Sequence, residues 1–187
     1  MAVERVIVHR DIAEAFARRV AEVVRGLRVG DPRDEATDLG PMANARQREQ
    51  VLAQLAAAKA AGAEFLVEGE ARGPGFYLTP SVVVGVAPTM DLARHETFGP
   101  VVAIQVAGDA EEAVARANDT VYGLGASVWG PEGPELDAIA GRPVLFLANH
   151  QVGIESLSFS IVASALVGTP TRTLAKVEHR DSWLGKL

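Results

Sequence analysis

Not one of the 187 residues is a cysteine. That excludes disulfides, thiolate metal sites and any thiol nucleophile supplied by this chain. Positive charge is in deficit as well. Eighteen Lys and Arg face 24 Asp and Glu, for a net charge of −6, and no dense basic tract reverses that balance locally. A nucleic-acid partner is therefore not expected. Long hydrophobic runs are missing too. The stretch Ser158 to Gly168 falls short of the roughly 20 apolar residues that a membrane span requires. Met1-Ala2-Val3-Glu4-Arg5 lacks the basic, apolar and small-residue order of a secretion signal. These absences lead to the expectation of a cytoplasmic protein without a membrane span. No His/Asp/Glu spacing suggests a metal site, and no internal repeat or low-complexity segment stands out.

What is present suits an ordinary soluble core. The hydrophobic share is 48% and the charged share 22%, enough for one domain or one and a fraction. Val6-Ile7-Val8 reads as a buried strand. Asp11 is expected to cap a helix with its apolar stripe at Ile12, Phe16, Val20, Val23, Val24 and Leu27, ended by Val29-Gly30-Asp31-Pro32. Asn44 with Gln47 resembles a capping box opening a second helix that runs through Val51, Leu52 and Leu55 to Gly62. Phe65-Leu66-Val67, Phe76-Tyr77-Leu78 and Val82-Val83-Val84 read as strands, with Gly73-Pro74-Gly75 as a turn between the first two. A short helix at Leu92 to His95 precedes the strand Val101 to Val106. Asp109 and Glu112 then form a cap pair for the helix Ala110 to Asn118, and Ala126 to Trp129 follows as a strand. The alternation predicts an α/β fold, a parallel-rich sheet with helices on both faces.

His95-Glu96-Thr97-Phe98-Gly99-Pro100, just before the strand Val101 to Val106, holds residues suited to a dinucleotide. The Glu96 carboxylate can accept hydrogen bonds from the vicinal hydroxyls of a ribose. Phe98 can lay its flat apolar face against a nicotinamide ring. Gly99 permits close backbone approach, and Pro100 fixes φ at the entry to the strand.

Several phrases, in order, resemble the C-terminal catalytic domain of the aldehyde dehydrogenase superfamily. Glu4-Arg5-Val6 with Val8 is similar to its opening strand. Val29-Gly30-Asp31-Pro32 followed by Gly40-Pro41 resembles its "GDP…GP" loop, and Gly75-Phe76-Tyr77-Leu78-Thr79-Pro80 its "G(Y/F)(F/Y)xxP" segment. Glu96-Thr97-Phe98-Gly99-Pro100 is similar to the "E-x-F-G-P" signature, with Thr97 where isoleucine is commoner. Ala117-Asn118-Asp119-Thr120 with Tyr122-Gly123-Leu124 completes the set. The resemblance implies NAD or NADP as cofactor, with Glu96 and Phe98 as cofactor-binding residues. It also implies an aldehyde as substrate, oxidised to a carboxylic acid, and a homo-oligomeric intact enzyme. The family's catalytic cysteine lies a few residues before the Glu-Arg-Val strand, a place that here falls at or before Met1. The expectation is therefore a fragment, inactive alone because the nucleophile and the dinucleotide-binding domain are missing.

The texture changes at Gly130-Pro131-Glu132-Gly133-Pro134, where a boundary is expected: residues 1–130 as the dehydrogenase-like part, 131–136 as linker and 137–187 as a second α/β segment. After the run Val144 to Leu147, Asn149-His150 with Glu155 resembles the "N-H-x-x-x-x-D/E" block of glycerolipid-type acyltransferases. That resemblance implies His150 as general base and Glu155 as its orienter, acting on an acyl thioester with a hydroxyl acceptor. On a regular helix the two side chains would stand roughly 140° apart, so they meet only if His150 lies in the loop and Glu155 in the first turn beyond it. A third alternative is a truncated or fused reading frame without function. His9, His95 and His179 are expected at the surface.

Overall fold

The computed structural model describes residues 2–122, 125–129, 148–149 and 172–175. In chain order the elements are β1 (Ala2–Val3), β2 (Arg5–His9), α1 (Arg10–Arg25), α2 (Ala45–Ala60), β3 (Glu64–Val67), β4 (Ala71–Arg72) and β5 (Tyr77–Leu78). They continue with β6 (Ser81–Val84), α3 (Asp91–Arg94), β7 (Val101–Ala107), α4 (Ala110–Asn118), β8 (Gly125–Val128), β9 (Ala148–Asn149) and β10 (Arg172–Ala175). Two compact units divide the chain, one of them Glu4–Arg116.

Within Glu4–Arg116 the sheet runs β2-β7-β6-β3. β7 pairs in parallel with both β2 and β6, while β3 closes the sheet antiparallel to β6. Side chains alternate across these strands, and each face receives its own helices. Val8, Val82 and Ile104 pack against Ala13, Ala17 and Val24 of α1. Val83, Val101 and Ala103 meet Val51, Leu55 and Ala58 of α2 and Leu92 and Ala93 of α3 on the other face. The expected parallel-rich sheet covered on both sides is what the chain forms. A small antiparallel ribbon of β4 and β5 stands apart from it.

Local physics corrects several sequence expectations for α1. Its N-cap is His9, whose ring nitrogen accepts the Asp11 amide at 3.4 Å, and Asp11 lies inside the first turn. The helix ends at Arg25, where the Gly26 amide closes onto Val23 and the Leu27 amide onto Val24, earlier than the Val29-Gly30-Asp31-Pro32 stop. The face against the sheet is built on Ala13, Ala17 and Val24, with Phe16, Val20 and Leu27 only partly covered, and Ala21 is buried as well. Ile12 and Val23 are 52% and 36% exposed. Small alanines let the helix axis approach the sheet closely, so the larger side chains are displaced to the flanks.

The cap pairs further along behave as their residue types dictate. Asn44 Oδ1 accepts the Gln47 amide at 2.9 Å and opens α2. Gly62 adopts φ +92 just past that helix, a conformation that favours glycine. Asp109 accepts the Glu112 amide at 2.8 Å, and Glu112 in turn accepts the Gly108 amide at 2.6 Å. With Arg116 beside it as well, the Glu112 carboxyl is held below its ordinary range, first by the Gly108 amide and then by the Arg116 guanidinium. Arg5, in β2, donates to the carbonyls of Ala93 at 3.0 Å and Arg116 at 3.4 Å, placing a cation at the C-terminal turns of α3 and α4.

The second unit comprises Met1–Val3 and Ala117–Leu187. Its described strands form two antiparallel ladders, Ala2 and Val3 against Asn149 and Ala148, and β8 against β10 from Arg172↔Val128 to Ala175↔Gly125. The expected run Val144 to Leu147 lies outside the described residues, and Ala148–Asn149 just after it is described. The expected linker, residues 131–136, lies outside them.

Candidate functional site

The loop that joins α3 to β7 begins where the His95 amide closes onto Asp91 and ends where Val101 enters the sheet. Pro100 is tied to the sheet through its carbonyl, which accepts the Ser81 amide at 2.8 Å. Between these anchors Thr97 is 3% exposed, Glu96 is half-buried and Phe98 is 37% exposed. One loop thus tucks its middle residue inward while the carboxylate on one side and the phenyl ring on the other reach the surface.

Glu4 holds this loop. Its backbone carbonyl accepts the Ala103 amide at 3.2 Å, which fixes the residue at the foot of β2. Its buried carboxylate then takes one amide on each oxygen, Thr97 on Oε2 and Phe98 on Oε1, both at 2.8 Å. Hydrogen bonds to a charged acceptor are the stronger kind, and two on one carboxylate also fix direction. Phe98 needs such support. Its φ is +52, the only positive value among the described non-glycine residues, in a region that side chains populate at a cost.

From the opposite side comes α2. Gln47 Nε2 donates to the Phe98 carbonyl at 2.6 Å, so both peptide groups of Phe98 are engaged. A capping box would send the Gln47 side chain back toward Asn44; here it reaches across to the loop instead. One turn of the same helix also holds the β4–β5 tip. Arg48 donates to the Gly75 carbonyl at 2.8 Å and stands 6.0 Å from the centre of the exposed Phe76 ring. The Met42 amide bonds the Phe76 carbonyl at 2.9 Å. Beneath the loop, a Cβ on Gly99 would meet Val51 Cγ2 at 2.6 Å. Val51 is fully buried and has no room to yield, so glycine is required for the loop to lie on α2.

The electrostatics of Glu96 follow from this packing. Partial burial raises its pKa above the ordinary value, and the nearby Glu4 carboxylate raises it further. A half-buried carboxylate with no ion-pair partner among the described residues, beside an exposed ring, is equipped to accept hydrogen bonds from a neutral polyol and to pack against a flat heterocycle.

The structure therefore places Glu96 and Phe98 on one loop, either side of Thr97. Sequence reasoning gave neither Glu4 nor Gln47 a place at this site. The one available signal was a carboxylate at the start of an apolar strand, which is unusual in a core position. His9 caps α1, and His95 pairs with Asp91 at 3.2 Å on an exposed surface. Among the described residues no three His, Asp or Glu side chains converge as metal ligands, and no helix is long and apolar enough to cross a membrane. His150 and Glu155, the pair expected to act in acyl transfer, lie outside the described residues, as does His179.

Comparison with known proteins gives one consistent answer. The model of the aldehyde dehydrogenase family matches residues 1–143. A putative succinate-semialdehyde dehydrogenase [NADP(+)] 2 of Mycobacterium bovis is 43% identical over 145 residues, which are 76% of this chain and 28% of that protein. A betaine aldehyde dehydrogenase of Brucella ovis is 42% identical over 130 residues, 67% of this chain and 27% of that one. Among solved structures, a mutant of aldehyde dehydrogenase C from Pseudomonas syringae, crystallised with NAD+ and octanal, superposes with a TM-score of 0.62. It is 40% identical over 65% of this chain and 26% of its own. The chain thus spans less than a third of the length of these relatives.

Proposed function

The chain belongs to the aldehyde dehydrogenase family, and from that premise we propose that its Glu96–Phe98 loop forms the nicotinamide-side wall of an NAD(P) site in an enzyme that oxidises an aldehyde to a carboxylic acid. The observation that carries this reading is the loop itself. Thr97 is buried, while the Glu96 carboxylate and the Phe98 ring on either side of it are left accessible by a backbone pinned at Glu4 and Gln47.

The residues fit the cofactor. Glu96 has no cationic partner among the described residues and is partly desolvated, so ribose hydroxyls replace little hydration and supply hydrogen bonds to its oxygens. Phe98 offers an apolar face to the nicotinamide ring and shields one side of it from water. When bound, the cofactor supplies the hydride acceptor for the oxidation. Fixing ribose and ring at two points is a contribution of orientation, the part of catalysis that fixed geometry supplies. The relatives support the cofactor and the substrate class, being named for NADP(+) and succinate semialdehyde in one case, betaine aldehyde in another, and solved with NAD+ and octanal in a third.

Covalent aldehyde oxidation needs a nucleophile, and this sequence holds no cysteine to serve. The 187-residue chain by itself is accordingly expected to reduce neither NAD+ nor NADP+ when given an aldehyde panel, and turnover above background would contradict that. Calorimetric titration of the chain with NAD+ tests the wall. Weak binding lost in Glu96→Gln supports the reading, whereas equal binding by the two proteins removes it.

A further inference from the structure

This inference rests on the reading of Glu96 and Phe98 as cofactor contacts. We propose that Glu4 and Gln47 are positioning residues for that wall: by gripping the two peptide groups of Phe98 from opposite sides, they set where the Glu96 carboxylate and the Phe98 ring stand toward a nicotinamide riboside.

The grip is complete in a way that packing alone does not demand. The Phe98 amide goes to Glu4 Oε1 and the Phe98 carbonyl to Gln47 Nε2, while the preceding amide, that of Thr97, goes to Glu4 Oε2. Three bonds from two side chains fix consecutive peptide planes about a phenylalanine held at φ +52. Released from them, the residue relaxes toward negative φ, which rotates its ring and the neighbouring Glu96 together. Both side chains spend hydrogen-bonding groups on the loop itself. Glu4 is 8% exposed with each oxygen engaged by the loop, and Gln47 donates from its amide nitrogen into the loop. The two come from distant points of the chain, one at the foot of β2 and one in the first turn of α2. The loop is thereby referenced to both the sheet and the helix layer. A residue serving stability alone would satisfy buried amides without fixing the direction in which an exposed ring points.

Nicotinamide mononucleotide, titrated into the full 187-residue chain and followed by amide NMR at a temperature where each variant is folded, tests the proposal. The unaltered chain is expected to bind. Glu4→Gln replaces one accepting oxygen by an amide group that cannot accept, and Gln47→Ala removes the grip on the carbonyl. Each is expected to bind about tenfold more weakly, with Phe98 backbone shifts moving toward negative φ. If Glu4→Gln fails to fold, Gln47→Ala, altered at a half-buried surface position, carries the test. Should both folded variants keep the parent affinity while Glu96→Gln loses it, the positioning role is overturned and the cofactor reading stands. Lower thermal stability at unchanged affinity in the folded protein overturns it equally. If the parent does not bind, or Glu96→Gln binds equally well, the cofactor reading falls and the positioning role falls with it.

Discussion

Glu96 carries its charge against two opposing influences, its own burial and the neighbouring Glu4 carboxylate, and both push its pKa above the ordinary 4.5. Because the folded value is the higher one, the folded state binds more protons than the unfolded state between the two. Stability therefore falls as pH rises through that interval, and the penalty is complete above it. Glu96→Gln removes the penalty. The variant is expected to melt slightly above the parent at neutral pH, with the gain shrinking on acidification and vanishing below the unfolded value. Thermal melts across pH check this, and a constant difference at every pH would contradict it. Gly99 makes the opposite kind of demand. A methyl group there sits 2.6 Å from Val51 Cγ2 in a closed core, so Gly99→Ala is expected to cost about 1–3 kcal/mol in urea denaturation. Glu96 and Phe98 were legible as candidates because carboxylate and ring chemistry is written in residue type. Glu4 was not, because its function is to accept amides from a loop more than 90 positions away in the chain, and no local pattern announces such a contact.

Helix caps were legible because they are local. The Asn44 and Asp109 caps each bond the amide three residues on, as short-range chemistry requires. Asn44→Ala is expected to lower stability by about 1 kcal/mol and to leave the Gln47–Phe98 bond in place, whereas Gln47→Ala breaks that bond and spares the Asn44 cap. Denaturation curves together with the Phe98 amide shift separate the two effects. α1 shows where local reasoning fails. The apolar stripe read from the spacing included Ile12 and Val23, yet both are exposed, and the sheet is met by Ala13 and Ala17 together with Val24. Interhelical and helix–sheet distance is a tertiary quantity, and a line of alanines is visible in sequence only as helix propensity. The reciprocal half of the Asn44–Gln47 box failed for a similar reason, since a loop distant in sequence offered Gln47 a carbonyl.

At the scale of the whole molecule, alternating strands and helices announced a parallel-rich sheet, and the order β2-β7-β6-β3 delivers one. The antiparallel edge was not legible. It follows from the β4–β5 ribbon lying between β3 and β6 in the chain, where a helix would have given a parallel return. β7 has a partner on each side and helices over both faces, so its amides are expected to exchange most slowly in the Glu4–Arg116 unit. Ile104→Ala, in its buried centre, is expected to cost about 2–5 kcal/mol, while Val106→Ala, on the same strand but exposed, is expected to stay within about 0.5 kcal/mol. Comparable losses at both positions would contradict the sheet order.

A nicotinamide wall at this loop requires the Phe98 ring to face the bound nucleotide. Magnetisation transfer between the two answers the question directly, through intermolecular nuclear Overhauser effects recorded on the chain saturated with nicotinamide mononucleotide. Contacts between the Phe98 ring protons and the nicotinamide protons, absent in Glu96→Gln, are the expected result. A saturated sample in which Phe98 shows no such contact, or in which the nucleotide lies against other residues, would contradict it.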